Sequence, residues 1–258
     1  MTKAWNYIQS KHYQLAIEEC SRAFRETGSV SHLYNRGIAY LLSKNYSAAL
    51  EDHQNIIDHT EAKFLASSHY LRLGICYWYL DDPDQAVVSF QQSLSTPYTD
   101  ASGGVQAPAI LLYVAERLHD DKIRHESLQI LKKYWRNHQR RQKRREKRGG
   151  RRTYHDFVYQ GLFGWPGPIV PLLLKKIDKE YFLDILDRSA KNSTLKSRHE
   201  CQAQFYLATL ALLDGNFEGF RKAMKSCAKS KHGVLEEEYY LALWEVENNF
   251  PEPAFALE

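Results

Sequence analysis

Apolar and small residues recur along this chain with the three-and-four spacing of an amphipathic helix, and the pattern is already under way at Ala4 and Trp5. Three columns of residues then repeat in step. Ala4, Gly37 and Gly74 are 33 and 37 residues apart, and the same two intervals separate Tyr7, Tyr40 and Tyr77, and Ala16, Ala49 and Ala86. One irregular spacing shared by three columns points to an internal repeat of paired helices. Small side chains let two helices close in, and large ones fill the space beside them. Asp82-Pro83-Asp84-Gln85 supplies an N-cap, a proline for the first helical position and a glutamine able to reach back to the cap. A helix is therefore predicted from there, carrying Ala86, Val87 and Phe90 and stopping before Thr96-Pro97. One repeat earlier the turn is Ser43-Lys44-Asn45, leading into Tyr46, Ala49 and Leu50.

Helical periodicity continues from Ala109 to Trp135 through Leu111, Val114, Ala115, Leu118, Leu128, Leu131 and Tyr134, with Asp120-Asp121 at the bend. Near the end, His199 to Leu213 predicts a helix, Asp214-Gly215-Asn216 a turn and cap, and Phe217 to Ala228 the returning helix. Leu235 to Val246, with Tyr239, Leu241, Leu243 and Trp244, predicts a terminal helix. The expected organisation is repeats over 1–98, a degenerate hairpin over 107–135, a basic connector over 136–156, further helices over 157–250 and a tail over 251–258.

Leu33, Gly37, Tyr40, Tyr46 and Ala49 in the second unit, and Tyr70, Gly74, Tyr77, Ala86 and Phe90 in the third, resemble the tetratricopeptide repeat. Ala4, Tyr7, Ala16 and Ala23 supply the first unit, so the resemblance covers Met1 to about Ser95. His53 stands where the family has an aromatic residue and Ile56 where it has alanine, which are departures. The resemblance implies an all-α, right-handed solenoid of helical hairpins with a degenerate C-terminal helical portion, the first helix of each pair lining a concave face. The family register puts Trp5, Ile8, Tyr34, Asn35, Ile38, Arg72, Ile75, Trp78 and Tyr79 on that face. Aromatic residues and an arginine in one groove suit peptide capture; the alternative is that Ile38, Ile75 and Trp78 pack against neighbouring helices. Of the residues the family uses to clamp a terminal carboxylate only Asn35 and Arg72 have counterparts, so no such ligand is expected. A narrower resemblance, to the NlpI-type adaptor lipoproteins, rests on Phe205-Tyr206-Leu207-Ala208 through Gly215-Asn216-Phe217 and on Glu236 to Glu245. Those bacterial proteins dock proteases and cell-wall hydrolases at the outer membrane. This chain lacks their lipobox cysteine, so neither localisation nor clients carry over.

Composition changes the picture mainly through charge. With 43% apolar residues the chain can build a sizeable core, and Ile169 to Leu174, interrupted by Pro171, falls far short of a bilayer span. The opening residues do not resemble a secretion signal, which predicts a cytoplasmic protein. Leu257-Glu258 resembles the junction ahead of an affinity tag, and a leader removed at the other end would make it periplasmic. Cys20, Cys76, Cys201 and Cys227 form no Cys-x-x-Cys pair and read as reduced core thiols. Ten Lys or Arg and one Glu lie between Arg136 and Arg152, so within a net charge of +4 the rest of the chain carries −5. Arg140, Arg141, Lys143, Arg144, Arg145, Lys147, Arg148, Arg151 and Arg152 form the patch. A solvated, partly disordered connector is its simplest reading, since like charges one turn apart oppose a helix. An acidic protein partner comes next, then nucleic acid.

Catalytic signals are weak. His199-Glu200-Cys201 lacks the spacing and third ligand of a zinc site, so no metal is expected. Gly161 to Pro168 is glycine-rich but has no following Lys-Ser/Thr to hold a phosphate, and reads as a rigid turn with Trp165 tucked inwards. Asp81-Asp82 fits a helix terminus. The expectation is a non-enzymatic adaptor that needs no cofactor and binds a protein or peptide in the groove. The alternatives are a nucleic-acid-associated regulator acting through the basic run, and a toxin-neutralising protein.

Overall fold

The structure, a computed structural model, describes residues 2–59, 66–95, 104–147, 149, 164–190 and 192–251. Among the described residues every regular element is a helix and none is a strand. Contacts divide the chain into two compact units, Met1–Thr99 and Asp100–Glu258.

Unit 1 contains α1 (Lys3–Gln9), α2 (Tyr13–Thr27), α3 (Ser31–Leu42), α4 (Tyr46–His59), α5 (Ala66–Tyr79) and α6 (Pro83–Ser95), each packed on the next. The turns inside its three pairs are built alike. The middle residue of each is left-handed: Lys11 at φ 62°, Lys44 at 64° and Asp81 at 59°. The following amide, of His12, Asn45 or Asp82, reaches back to the carbonyl of Tyr7, Tyr40 or Tyr77 at 2.9, 2.9 and 3.0 Å. This bond closes the last turn of each first helix and satisfies a carbonyl the helix leaves open. Asn45 and Asp82 then cap the next helix, accepting from the amides of Ala48 at 3.3 Å and Gln85 at 3.1 Å.

The small columns are contact points. Ala16, Ala49 and Ala86 are 0% exposed and Ala4 is 5%. A Cβ on Gly74 would fall on the ring of Phe90, and one on Gly37 would lie 2.9 Å from His53 Nε2. Phe90 and His53 both follow their glycine by sixteen residues, as buried Cys20 follows Ala4. The imidazole of His53 thus fills the place that the next pair gives to phenylalanine. Arg36 of α3 ties three helices together: it grips buried Asp52 of α4 in a forked pair at 2.9 and 2.5 Å and donates to Ser21 of α2 at 3.0 Å.

Unit 2 contains α7 (Gln106–Leu118), α8 (Asp121–Lys147), α9 (Ile169–Leu173), α10 (Lys179–Asp187), α11 (Ser193–Leu213), α12 (Phe217–Ala228) and α13 (Glu237–Glu247), with a 3-10 turn at Gly233–Leu235. α11 is central, touching α7, α9, α10, α12 and α13. The bend before α8 has His119 left-handed at φ 52°, with Asp120 accepting from the Ile123 amide at 2.8 Å. At the turn into α12, Gly215 takes φ 70° and Asn216 accepts from the Gly219 amide at 2.9 Å.

The expected basic connector differs: α8 runs unbroken through 136–147, while 148 and 150–156 lie outside the described residues. Buried Ile123, Ser127 and Leu131 hold the first half of this helix against the unit. Its far half is rich in Arg, Lys and Gln, which are good helix formers, and cations at a helix C-terminus face the negative end of its dipole. Together these outweigh repulsions of about 0.2–0.5 kcal/mol per like pair. No described helix is long and apolar enough to cross a membrane.

Candidate functional site

The nine expected groove residues separate by burial. Trp5, Tyr34, Asn35 and Tyr79 are half-buried, whereas Ile8, Ile38, Arg72, Ile75 and Trp78 are interior side chains. Ile38 and Ile75 directly follow the two glycines at which helices come closest, so the same approach that removes the Cβ encloses the neighbouring side chain. The half-buried residues sit on α1, α3 and α5, the first helix of each pair. Tyr79 is held by stacking on Tyr46, centroids 4.4 Å apart.

Arg72 belongs to a buried cluster. Its guanidinium lies 5.2 Å from the ring centre of Tyr34 and donates to the Tyr34 hydroxyl at 3.4 Å. Tyr34 meets the rings of His69 and His53 edge-on, at 5.8 and 6.5 Å, and the two histidine Nδ1 atoms are 3.4 Å apart. Burial, reinforced by the Arg72 charge, holds His53 far below the usual imidazole range and His69 down at about 4. Both rings are neutral near pH 7, and a group that protonates only near pH 4 is badly matched to general-base work there. The cluster is a packed polar core joining α3, α4 and α5.

Unit 2 hides acids that nothing in the local sequence gives reason to bury. Glu236, Glu237 and Glu238, ahead of and inside the first turn of α13, are 6%, 6% and 0% exposed. Gln106 donates to Glu237 at 2.8 Å and to Glu238 at 2.9 Å; Tyr206 donates to Glu238 at 2.6 Å and Gln202 at 3.3 Å. Trp165 donates in turn to Gln202 at 2.7 Å and stacks on His199, itself bonded to Ser189. Burial first, then the charges of Glu236 and Glu237, push the Glu238 carboxyl up to about 8. Further along α13, Glu245 receives the Tyr113 hydroxyl at 2.5 Å and lies 2.8 Å from Arg117 Nε, an ion pair rather than an aligned hydrogen bond. The only sequence signal is three acids opening an apolar helix, which reads equally well as dipole compensation.

Cys201 and Cys227 bring their sulfurs to 3.3 Å, and all four cysteines are buried free thiols. No group of three His, Cys, Asp or Glu among the described residues is placed to hold a metal ion. Of the glycine-rich stretch, 161–163 lie outside the described residues, and Trp165 is half-buried, its ring turned onto His199 and Gln202.

The basic patch is a helix face. Arg140, Arg141, Lys143, Arg144 and Lys147 are exposed and Arg145 is half-buried, while Arg148, Arg151 and Arg152 lie outside the described residues. Trp135 and His138 stack at the start of this stretch, centroids 5.5 Å apart. No family model and no curated protein matches the chain.

Proposed function

We propose that the protein is a non-catalytic adaptor, a right-handed solenoid of tetratricopeptide type over its first hundred residues, that holds a peptide or helix of a protein partner against α1, α3 and α5. One observation carries this reading: the first helix of each successive pair bears a half-buried aromatic residue that keeps part of its surface in water, Trp5, Tyr34 and Tyr79 in turn. Large rigid rings with part of their surface still in water are the side chains that supply most binding energy at protein interfaces. The common construction of the three turns supports the repeat, since Lys11, Lys44 and Asp81 recur at the same 33- and 37-residue intervals as the small columns. The buried Arg72 cluster fixes Tyr34 from behind, as a preorganised anchor requires.

The test is affinity capture of partners from the source cells with the wild-type chain and with Trp5→Ala/Asn35→Ala/Tyr79→Ala. Tyr34 is left intact because Arg72 packs on its ring. A partner held by the wild type and reduced roughly tenfold or more by the variant, at unchanged helical circular dichroism, is the expected result. Undiminished retention of every partner would refute the groove.

A further inference from the structure

The exposed face of α8 has a geometry that the groove reading does not use. At 100° per residue, Lys132, Arg136, Arg140, Lys143, Arg144 and Lys147 all fall on one arc of about 120°. The residues α8 packs with, Ile123, Ser127 and Leu131, project from the opposite side. Over 132–147 the helix rises roughly 22 Å, so the stripe presents a cation about every turn along that length. Its one acid, Glu146, points off the arc, and the amides of Asn137 and Gln139 border it on either side. Every member of the stripe is exposed.

We propose that this stripe is a nucleic-acid interface that lies along the phosphate backbone of a duplex. Over 132–147 no apolar residue falls on the arc, Tyr134 and Trp135 projecting outside it, so whatever docks along it is held by charge and hydrogen bonds. That disfavours an acidic protein, whose interface would need a buried aromatic or aliphatic anchor, and an embedded membrane helix, which needs an apolar face. A duplex carries one charge per roughly 1.7 Å of axis and offers about a dozen phosphates over the length of the stripe. The arginines contribute forked donors that match phosphate oxygens, and the flanking amides reach sugar and base edges. The contact carries little sequence information, because it is made to the backbone.

Fluorescence anisotropy of the full chain with labelled RNA and DNA duplexes of about 22 base pairs, each across a salt series, tests this. The variants are Arg136→Gln/Arg140→Gln/Arg144→Gln, which keeps helix propensity, and Arg221→Gln/Lys222→Gln/Lys229→Gln, which removes equal charge from exposed positions in and just after α12. The α8 variant is expected to weaken duplex binding roughly tenfold or more at ~0.1 M salt and to lower the log–log salt slope by about 2 to 3, with the α12 variant near wild type. The tighter of the two duplexes identifies the polymer. Equal weakening by both variants, or saturable binding of polyglutamate or of phosphatidylserine vesicles with none of either duplex, overturns the proposal.

Discussion

Gly74 and Phe90 meet so closely that the helix pair depends on a missing methyl group. Gly74→Ala gains helix propensity worth about 1 kcal/mol, yet its new Cβ lands on the Phe90 ring, which is 0% exposed and has nowhere to go. The expected net effect is a loss of about 1–3 kcal/mol in urea unfolding. Ala49→Leu, at another fully buried contact, belongs in the same range; unchanged melting of both variants would remove the packing scheme. His53 tests it in the opposite direction. Its buried Nε2 has no hydrogen-bond partner among the described residues, and such a group costs about 1–3 kcal/mol, so His53→Phe, copying Phe90, should raise the midpoint. The small columns are legible in the sequence because alanine and glycine recurring at one fixed interval mark the close approach of helices and little else. That a histidine serves as the buried ring is legible only in part: the family register puts His53 at an aromatic position, but the residue type is as common on surfaces, and its opposition to Gly37 is what shows that it fills that place.

At the level of elements, turns are readable from sequence and charged faces are not. Asp82-Pro83, Asn45 and Asp214-Gly215-Asn216 announce helix ends through local bonding alone, and those bonds are present. By contrast, Glu238 and Glu245 are buried by partners about 130 residues earlier in sequence, Gln106 and Tyr113, which no local pattern encodes. The extent of α8 is hidden for a related reason: its charge run looks like a helix breaker until Ile123 and Leu131 are seen anchoring its first half. Half the groove expectation meets the same limit, since register alone does not separate a lining side chain from an enclosed one. The Arg117–Glu245 pair, 5% and 0% exposed, clasps α7 to α13. Arg117→Met leaves a buried carboxylate without its cation and is expected to cost about 3–5 kcal/mol, less if Glu245 takes up a proton. Arg117→Met/Glu245→Leu removes both charges and should recover much of that loss. A double variant as unstable as the single one would show that the arginine's other contacts, its stem packing and the hydrogen bond it donates to the Pro251 carbonyl at 2.6 Å, outweigh the ion pair.

Across the whole chain, buried titratable groups set opposing dependences on pH. His53, His69, His138 and His199 are all lowered by burial, His69 and His199 to about 4. Between pH 6.5 and about 4 the unfolded chain therefore binds protons that the folded chain refuses, and stability falls as pH drops. Glu238 works the other way. Its carboxyl holds a proton up to about 8 when folded but loses it near the ordinary 4.5 when unfolded, so its contribution is complete below 4.5 and disappears as pH rises through 8. The two effects compete between pH 4.5 and 6.5, where several histidines act against Glu238 and the weaker rises of Asp52 and Glu245. Above 6.5 the histidines are silent and Glu238 sets the slope, until the thiols Cys20 and Cys76, pushed up to about 11 and 12 by burial, add their own decline as pH approaches the ordinary 9 at which the unfolded chain's thiols ionise. Melting temperature is thus expected to peak near neutrality and to decline on both sides. Glu238→Gln keeps an uncharged, hydrogen-bonding side chain in place and should abolish the decline between pH 7 and 8.5 and steepen the acid limb, because its opposing slope between 4.5 and 6.5 is lost as well. His53→Phe/His69→Phe should make the acid limb shallower and leave the alkaline limb alone. Differential scanning calorimetry from pH 4 to 9 on the three proteins separates these outcomes, and a decline between pH 7 and 8.5 that survives Glu238→Gln would place the proton elsewhere.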